Sequence, residues 1–158
     1  MKRILVAAAA LSAIAAPAFA QDALNLSGSV APVCTITAPA DNNAVNLSGA
    51  TTLGSLTVQC NDPQGFTASA SSLNSGRLVE ANNPTYYTYQ LGVNGVGNQN
   101  LSSPVSFSTA SLGGNAGAAA AAAVGGIPVQ VSLQNVARVG SNFAGSYSDT
   151  ITFSIAAN

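Results

Sequence analysis

Few residues in this chain are suited to covalent chemistry. There are two cysteines, Cys34 and Cys60, and no histidine among 158 residues. A serine hydroxyl needs a neighbouring base to take its proton, and a thiol needs a base or cationic neighbour to become thiolate. With four Lys and Arg residues in all, such a partner is not at hand. Glycoside hydrolysis would need two carboxyl groups facing one cleft. Asp41, Asp62, Glu80 and Asp149 are instead dispersed, mostly near turn residues, and read as solvated surface acids. Acids spread so far apart make no calcium loop, and two thiols without histidine make no zinc set. Gly92, Gly95 and Gly97 precede no helical pattern and read as turn glycines, not as a phosphate loop. The inventory predicts no enzyme, no cofactor and no metal. The best catalytic candidate by default is Asp149 near Tyr147.

The N-terminus sets the redox context of the cysteines. Lys2 and Arg3 precede an uncharged run from Ile4 to Ala16, and Ala18-Phe19-Ala20 supplies the small-x-small pattern that a signal peptidase reads. Residues 1–20 therefore read as a secretory signal peptide cleaved after Ala20. The apolar run of about 13 residues falls short of the roughly 20 that a spanning helix needs. No second such run follows, so membrane insertion is not expected. An even cysteine count in an exported chain points to a Cys34–Cys60 disulfide. It would close a loop of about 27 residues, worth roughly 3–4 kcal/mol in the chain-entropy model.

Cleavage leaves Arg77 and Arg138 against Asp22, Asp41, Asp62, Glu80 and Asp149, a formal charge of about −3. Two arginines make no basic stripe, which excludes nucleic acid and anionic membranes as partners. Ser, Thr, Asn and Gln carry the surface polarity instead. Such a surface suits subunits packed in large numbers, and equally a secreted protein with a neutral exterior. Three N-x-S triplets, at Asn25, Asn46 and Asn100, match a glycosylation pattern but are expected by chance in so Asn- and Ser-rich a chain.

Alternation with a period of two dominates the rest. Leu24, Leu26, Gly28 and Val30 share one face of a predicted strand with one buried side. Further strands are predicted over Val33–Thr37, Leu53–Cys60, Phe66–Ala70, Arg77–Val79, Tyr86–Val93, Val105–Ser108, Ile127–Leu133 and Tyr147–Ile155. Asn61-Asp62-Pro63 and Asn94-Gly95 carry turn chemistry. Tyr87 and Tyr89 are expected in the core and Tyr86 outside, the alternative being an aromatic platform for sugars. The alanine-rich segment 113–126 reads as a loop with at most one helical turn. Many short alternating strands predict an all-β, antiparallel β-sandwich. Residues 1–20 are read as the signal peptide, 21–31 as a spare N-terminal strand, and 32–158 as a single domain.

Several features together resemble the spore coat protein U-type family, which includes subunits of archaic chaperone–usher pili. They are an alternating strand ahead of the first cysteine, the pair Cys34 and Cys60, and Thr88-Tyr89-Gln90-Leu91. The most specific is the C-terminal run Gly145-Ser146-Tyr147-Ser148-Asp149-Thr150-Ile151-Thr152-Phe153, continued by Ile155. It is similar to the family's terminal G-x-Y-x-D-T-hydrophobic strand. The resemblance implies an immunoglobulin-like sandwich that is incomplete, lacking its last strand. It implies export through the periplasm to a cell-surface pilus or the extracellular space. It implies a periplasmic chaperone, an outer-membrane usher and neighbouring copies as partners. The groove left open would be filled by a chaperone and later by the N-terminal strand of the next subunit, and Leu24, Leu26, Gly28 and Val30 would be this chain's own donor strand.

Two readings stay open. Residues 22–31 complete a neighbour's sandwich, which makes a fibre subunit supporting adhesion or biofilm. Otherwise they fold back on their own domain, which makes a self-contained secreted or coat-like protein, with a carbohydrate-binding adhesin as one form. Either way, the exported product is expected to begin at Gln21. N-terminal sequencing of that product checks the cleavage, and retention of Lys2 and Arg3 would refute it.

Overall fold

The computed structural model describes residues 24–41, 44–112, 121–122 and 125–158. The expected signal peptide lies outside these residues. So does most of the alanine-rich segment, of which Ala121 and Ala122 take helical conformation. The chain falls into two units, Met1–Val30 and Ala31–Asn158. In the first, Leu24–Val30 takes no regular secondary structure. Leu24, Leu26 and Val30 are 84, 86 and 87 % exposed. The strand with a buried face expected here is thus not formed. A strand needs a ladder partner for its N–H and C=O groups, and among the described residues this segment pairs with none.

The second unit is all-β. Its strands are β1 (Cys34–Thr37), β2 (Thr51–Cys60), β3 (Phe66–Ser72), β4 (Arg77–Val79), β5 (Tyr86–Val93), β6 (Gly97–Gln99), β7 (Val105–Ser108), β8 (Ile127–Val139) and β9 (Ile151–Ala157). One sheet runs β1-β2-β8-β5-β4, with β6 also paired to β5. The other runs β7-β3-β9. Every ladder is antiparallel.

The inward residues are the ones that alternation selects. Leu56, Val58 and Cys60 of β2, Tyr87, Tyr89, Leu91 and Val93 of β5, and Val129, Val131 and Leu133 of β8 are buried. They share one core with Phe66, Ala68 and Ala70 of β3 and Phe107 of β7. Tyr86 points outward, with the Arg77 guanidinium 4.8 Å from its ring centroid. The outer face of the smaller sheet carries Thr67, Ser69 and Ser71 beside Ser106, Thr152 and Ser154. Ser69 and Ser154 share a hydroxyl–hydroxyl bond of 2.8 Å.

Local distortions account for the differences from the expected strands. β8 continues six residues beyond Leu133 because its ladder with β5 shifts register between Thr88 and Gln90. Asn135 takes φ 50° there, a left-handed value that asparagine tolerates better than most residues. β6 escapes alternation because it is short and lacks aliphatic side chains. The last strand starts at Ile151, not Tyr147. Ser148 bridges Val79 of the other sheet instead, so residues 147–149 span the sheets before β9 begins. At Gly54 (φ 129°) the β2–β8 register also shifts, and an added Cβ would lie 2.6 Å from Pro39 Cβ.

The expected disulfide is present, joining Cys34 and Cys60 at directly opposed positions of β1 and β2. It fastens a four-residue edge strand to its neighbour β2. Replacing both cysteines by serine is expected to lower stability by about 3 kcal/mol. Urea unfolding of the double variant checks this, and an unchanged midpoint would refute it.

Candidate functional site

The edge strands of the two sheets meet on one side of the domain. β1 ends one sheet and β9 ends the other, and the two are close neighbours. Along β3, Phe66, Ala68 and Ala70 are fully buried. Their partners on β9 are Ala157, Ile155 and Phe153. Ile151, Phe153 and Ile155 point toward the core yet remain half-buried, as does Ile36 of β1. Phe153 and Ile155 thus stand opposite alanines of β3, whereas Ala157 faces Phe66, and no strand pairs with the second flank of β9 among the described residues. β9 has one ladder partner among the described residues, leaving a row of backbone donors and acceptors along its free edge.

Two adjoining hollows lie on this side, of about 170 and 590 Å³. Both are lined by Asp41, Val45, Leu78 and Asp149. The first adds Leu53, Val131, Leu133, Ile151 and Phe153, so its walls come from both sheets. Val45 and Leu47 belong to the connection between β1 and β2. They pack on the core while Ala44, Asn46 and Ser48 point away. This connection was not among the predicted elements, although the alternation Val45-Asn46-Leu47-Ser48 signals its apolar face.

The C-terminal motif holds the end of the groove. The Asp149 carboxylate accepts four hydrogen bonds. Ser72 Oγ and Tyr89 Oη donate to Oδ2 at 2.5 and 2.6 Å. The backbone N–H groups of Asn74 and Thr150 donate to Oδ1 at 3.0 and 2.8 Å. Ser72 Oγ in turn accepts from Gly76 N at 2.7 Å. Asp149 is therefore not the solvated surface acid expected from its place near a turn. Asp62 also departs from that expectation. It is 8 % exposed, and its Oδ1 accepts from Gln64 N at 2.8 Å, closing the turn after β2.

Tyr147 sets its ring edge-on to Tyr87, with centroids 4.9 Å apart and planes at 77°. Its hydroxyl donates to Phe143 O and accepts from Asn83 Nδ2, both at 2.9 Å. Gly145 lies where an added Cβ would come within 3.0 Å of Glu80 Cγ. Gly145, Tyr147, Asp149, Ile151, Phe153 and Ile155 thus form one continuous element, with Cys34 and Cys60 at the neighbouring edge. Leu24, Leu26, Gly28 and Val30 belong to the other unit. There a Cβ at Gly28 would meet nothing within 4 Å. Among the described residues, no three His, Cys, Asp or Glu side chains gather in a way that could hold a metal ion.

Compared with known proteins, the chain matches no family model, and no curated protein matches it significantly.

Burial, followed by the hydrogen bond to Asp149, pushes the Tyr89 phenol above its ordinary value of 10.0. The folded state therefore resists an ionisation that the unfolded chain undergoes near pH 10. The stability that Tyr89 contributes is present below pH 10 and is lost as pH rises beyond it. Tyr89→Phe is expected to flatten the fall in stability above pH 10 in alkaline unfolding curves. An unchanged alkaline slope would refute this. Asp149→Asn, which weakens the acceptor shared by four donors, is expected to cost about 1–3 kcal/mol, read from urea unfolding at pH 7.

Proposed function

We propose that this chain is a structural subunit of an exported surface fibre, joined to its neighbours by strand addition. The observation that carries this reading is the open edge of β9 with its half-covered Ile151, Phe153 and Ile155. An apolar groove beside a free strand edge is the site where an incoming extended segment gains both ladder hydrogen bonds and side-chain burial. Leu24–Val30 has the composition for that role. It spans seven residues, as β9 does, and its apolar side chains alternate with polar ones. Leu24, Leu26 and Val30 would each contribute roughly 1.5–3 kcal/mol on full burial, before the entropy of ordering the segment is subtracted. Gly28 would pass where the groove is narrow.

On this reading the subunit crosses the periplasm bound to a chaperone that covers the groove. An outer-membrane usher then passes it to the preceding copy. The low charge and the Ser- and Thr-rich sheet faces favour the same conclusion, because copies stacked along a fibre meet without strong repulsion. The fibre would serve adhesion or biofilm formation.

Deleting residues 21–31 tests the proposal. The shortened chain is expected to accumulate as a monomer held by its chaperone, without the SDS-resistant ladders of the full chain. A ladder formed equally well by the shortened chain would overturn the strand-addition reading. So would a full chain that stays monomeric together with its chaperone and usher.

A further inference from the structure

The outer face of the larger sheet carries a second cleft, on the side of the sheet away from the groove. It holds about 290 Å³ and lies between the turn before β4, the middle of β5, the bulge of β8 and the segment after β6. Its side chains include Arg77, Thr88, Gln90, Asn100, Ser102 and Asn135. Leu78 and Tyr89 alternate with these and point inward, where both are buried. The cleft is therefore walled by hydroxyl and amide groups around one cation, with no carboxylate in its lining.

Two features set this cleft apart from the rest of the polar surface. Among the described residues, the two non-glycine positions with left-handed backbone are Ser75 (φ 55°) and Asn135 (φ 50°). Both line this cleft. Strained positions and strand bulges concentrate where a fold re-aims side chains for function. The second feature is the guanidinium of Arg77. It stacks on Tyr86 at 4.8 Å, and among the described residues it forms no hydrogen bond or ion pair. A guanidinium without a carboxylate partner keeps its N–H donors available to an anionic ligand, and its planar fork matches a carboxylate.

We propose that this cleft binds a carboxylated saccharide, with Arg77 holding the sugar carboxylate. Thr88, Gln90, Asn100 and Ser102 supply donors and acceptors for the sugar hydroxyls. The near absence of exposed apolar side chains in the lining disfavours a peptide or lipid occupant, whose burial would need apolar contact. The binding site shares no residue with Leu24–Val30 or β9, so it does not depend on the fibre reading.

The test is a calorimetric titration of the full exported chain with trigalacturonate and with sialyllactose. The methyl ester of trigalacturonate and plain lactose serve as uncharged counterparts. At least one acid is expected to bind about ten-fold or more tightly than its uncharged counterpart, as loss of a charged hydrogen-bonded pair implies. Arg77→Gln is expected to abolish that preference, and Arg77→Lys to restore it in part. Equal binding of acid and uncharged counterpart, or no binding of either acid, would overturn the proposal. So would an Arg77→Gln chain that keeps the preference. The acid-versus-neutral comparison uses the unaltered chain, so it decides the question even if the variant does not fold. Loss of SDS-resistant ladders with this preference intact would count against the fibre reading alone.

Discussion

Four hydrogen-bond donors converge on the carboxylate of Asp149, and they come from separate parts of the chain. Ser72 ends β3 of the smaller sheet, Tyr89 lies in β5 of the larger one, and Asn74 belongs to the turn between β3 and β4. Thr150 follows Asp149 itself and leads into β9. A half-buried acid is costly unless its oxygens are satisfied, and here both are. The arrangement ties the two sheets together where the chain crosses between them. Tyr147 on Tyr87 and the Val79–Ser148 bridge brace the same crossing from the larger sheet. With residues 147–149 held, the direction of β9 is set, and so is the row of Ile151, Phe153 and Ile155 that it presents.

That row explains why the two edges of the smaller sheet differ. At β7, Phe107 is 3 % exposed, so this edge covers its own apolar residue. At β9, Phe153 and Ile155 stand opposite alanines of β3 and Ile151 opposite Ser72, and all three are left half-covered. The disulfide holds β1 against β2 on the facing side, so β1 is fastened within its own sheet. The groove is thus bounded by one covalently fixed wall and one wall set by the Asp149 network. Its apolar character and free backbone edge both derive from these two constraints.

The exterior follows a different rule from the interior. The outward positions of the smaller sheet are mostly hydroxyls in regular cross-strand register, and of the few acids Asp62, Glu80 and Asp149 accept hydrogen bonds. Such a surface stays hydrated without strong self-repulsion. The Arg77 cleft departs from it, since it places a stacked cation among neutral polar groups at a bulge.

Alternation alone identified the core of β2, β3, β5 and β8. Burial of every second side chain is a property of a single pleated strand and needs no knowledge of its neighbours. The cysteine pair was legible because a chain with two thiols has one pairing available. The C-terminal motif was visible as a pattern, but the work of Asp149 was not. Its donors Ser72 and Tyr89 are 77 and 60 residues away in sequence, and only the crossing between sheets brings them together. Asp62 reads as a surface acid because its bond to Gln64 is local and its burial, like the wall contributed by Val45 and Leu47, arises from packing between distant segments. The extension of β8 depended on a register shift that no local period reveals. Local side-chain type is thus enough to say which face of a strand is apolar. Which faces meet, and which edge is left open, depends on contacts between strands far apart in the chain, and these exist only in the folded domain.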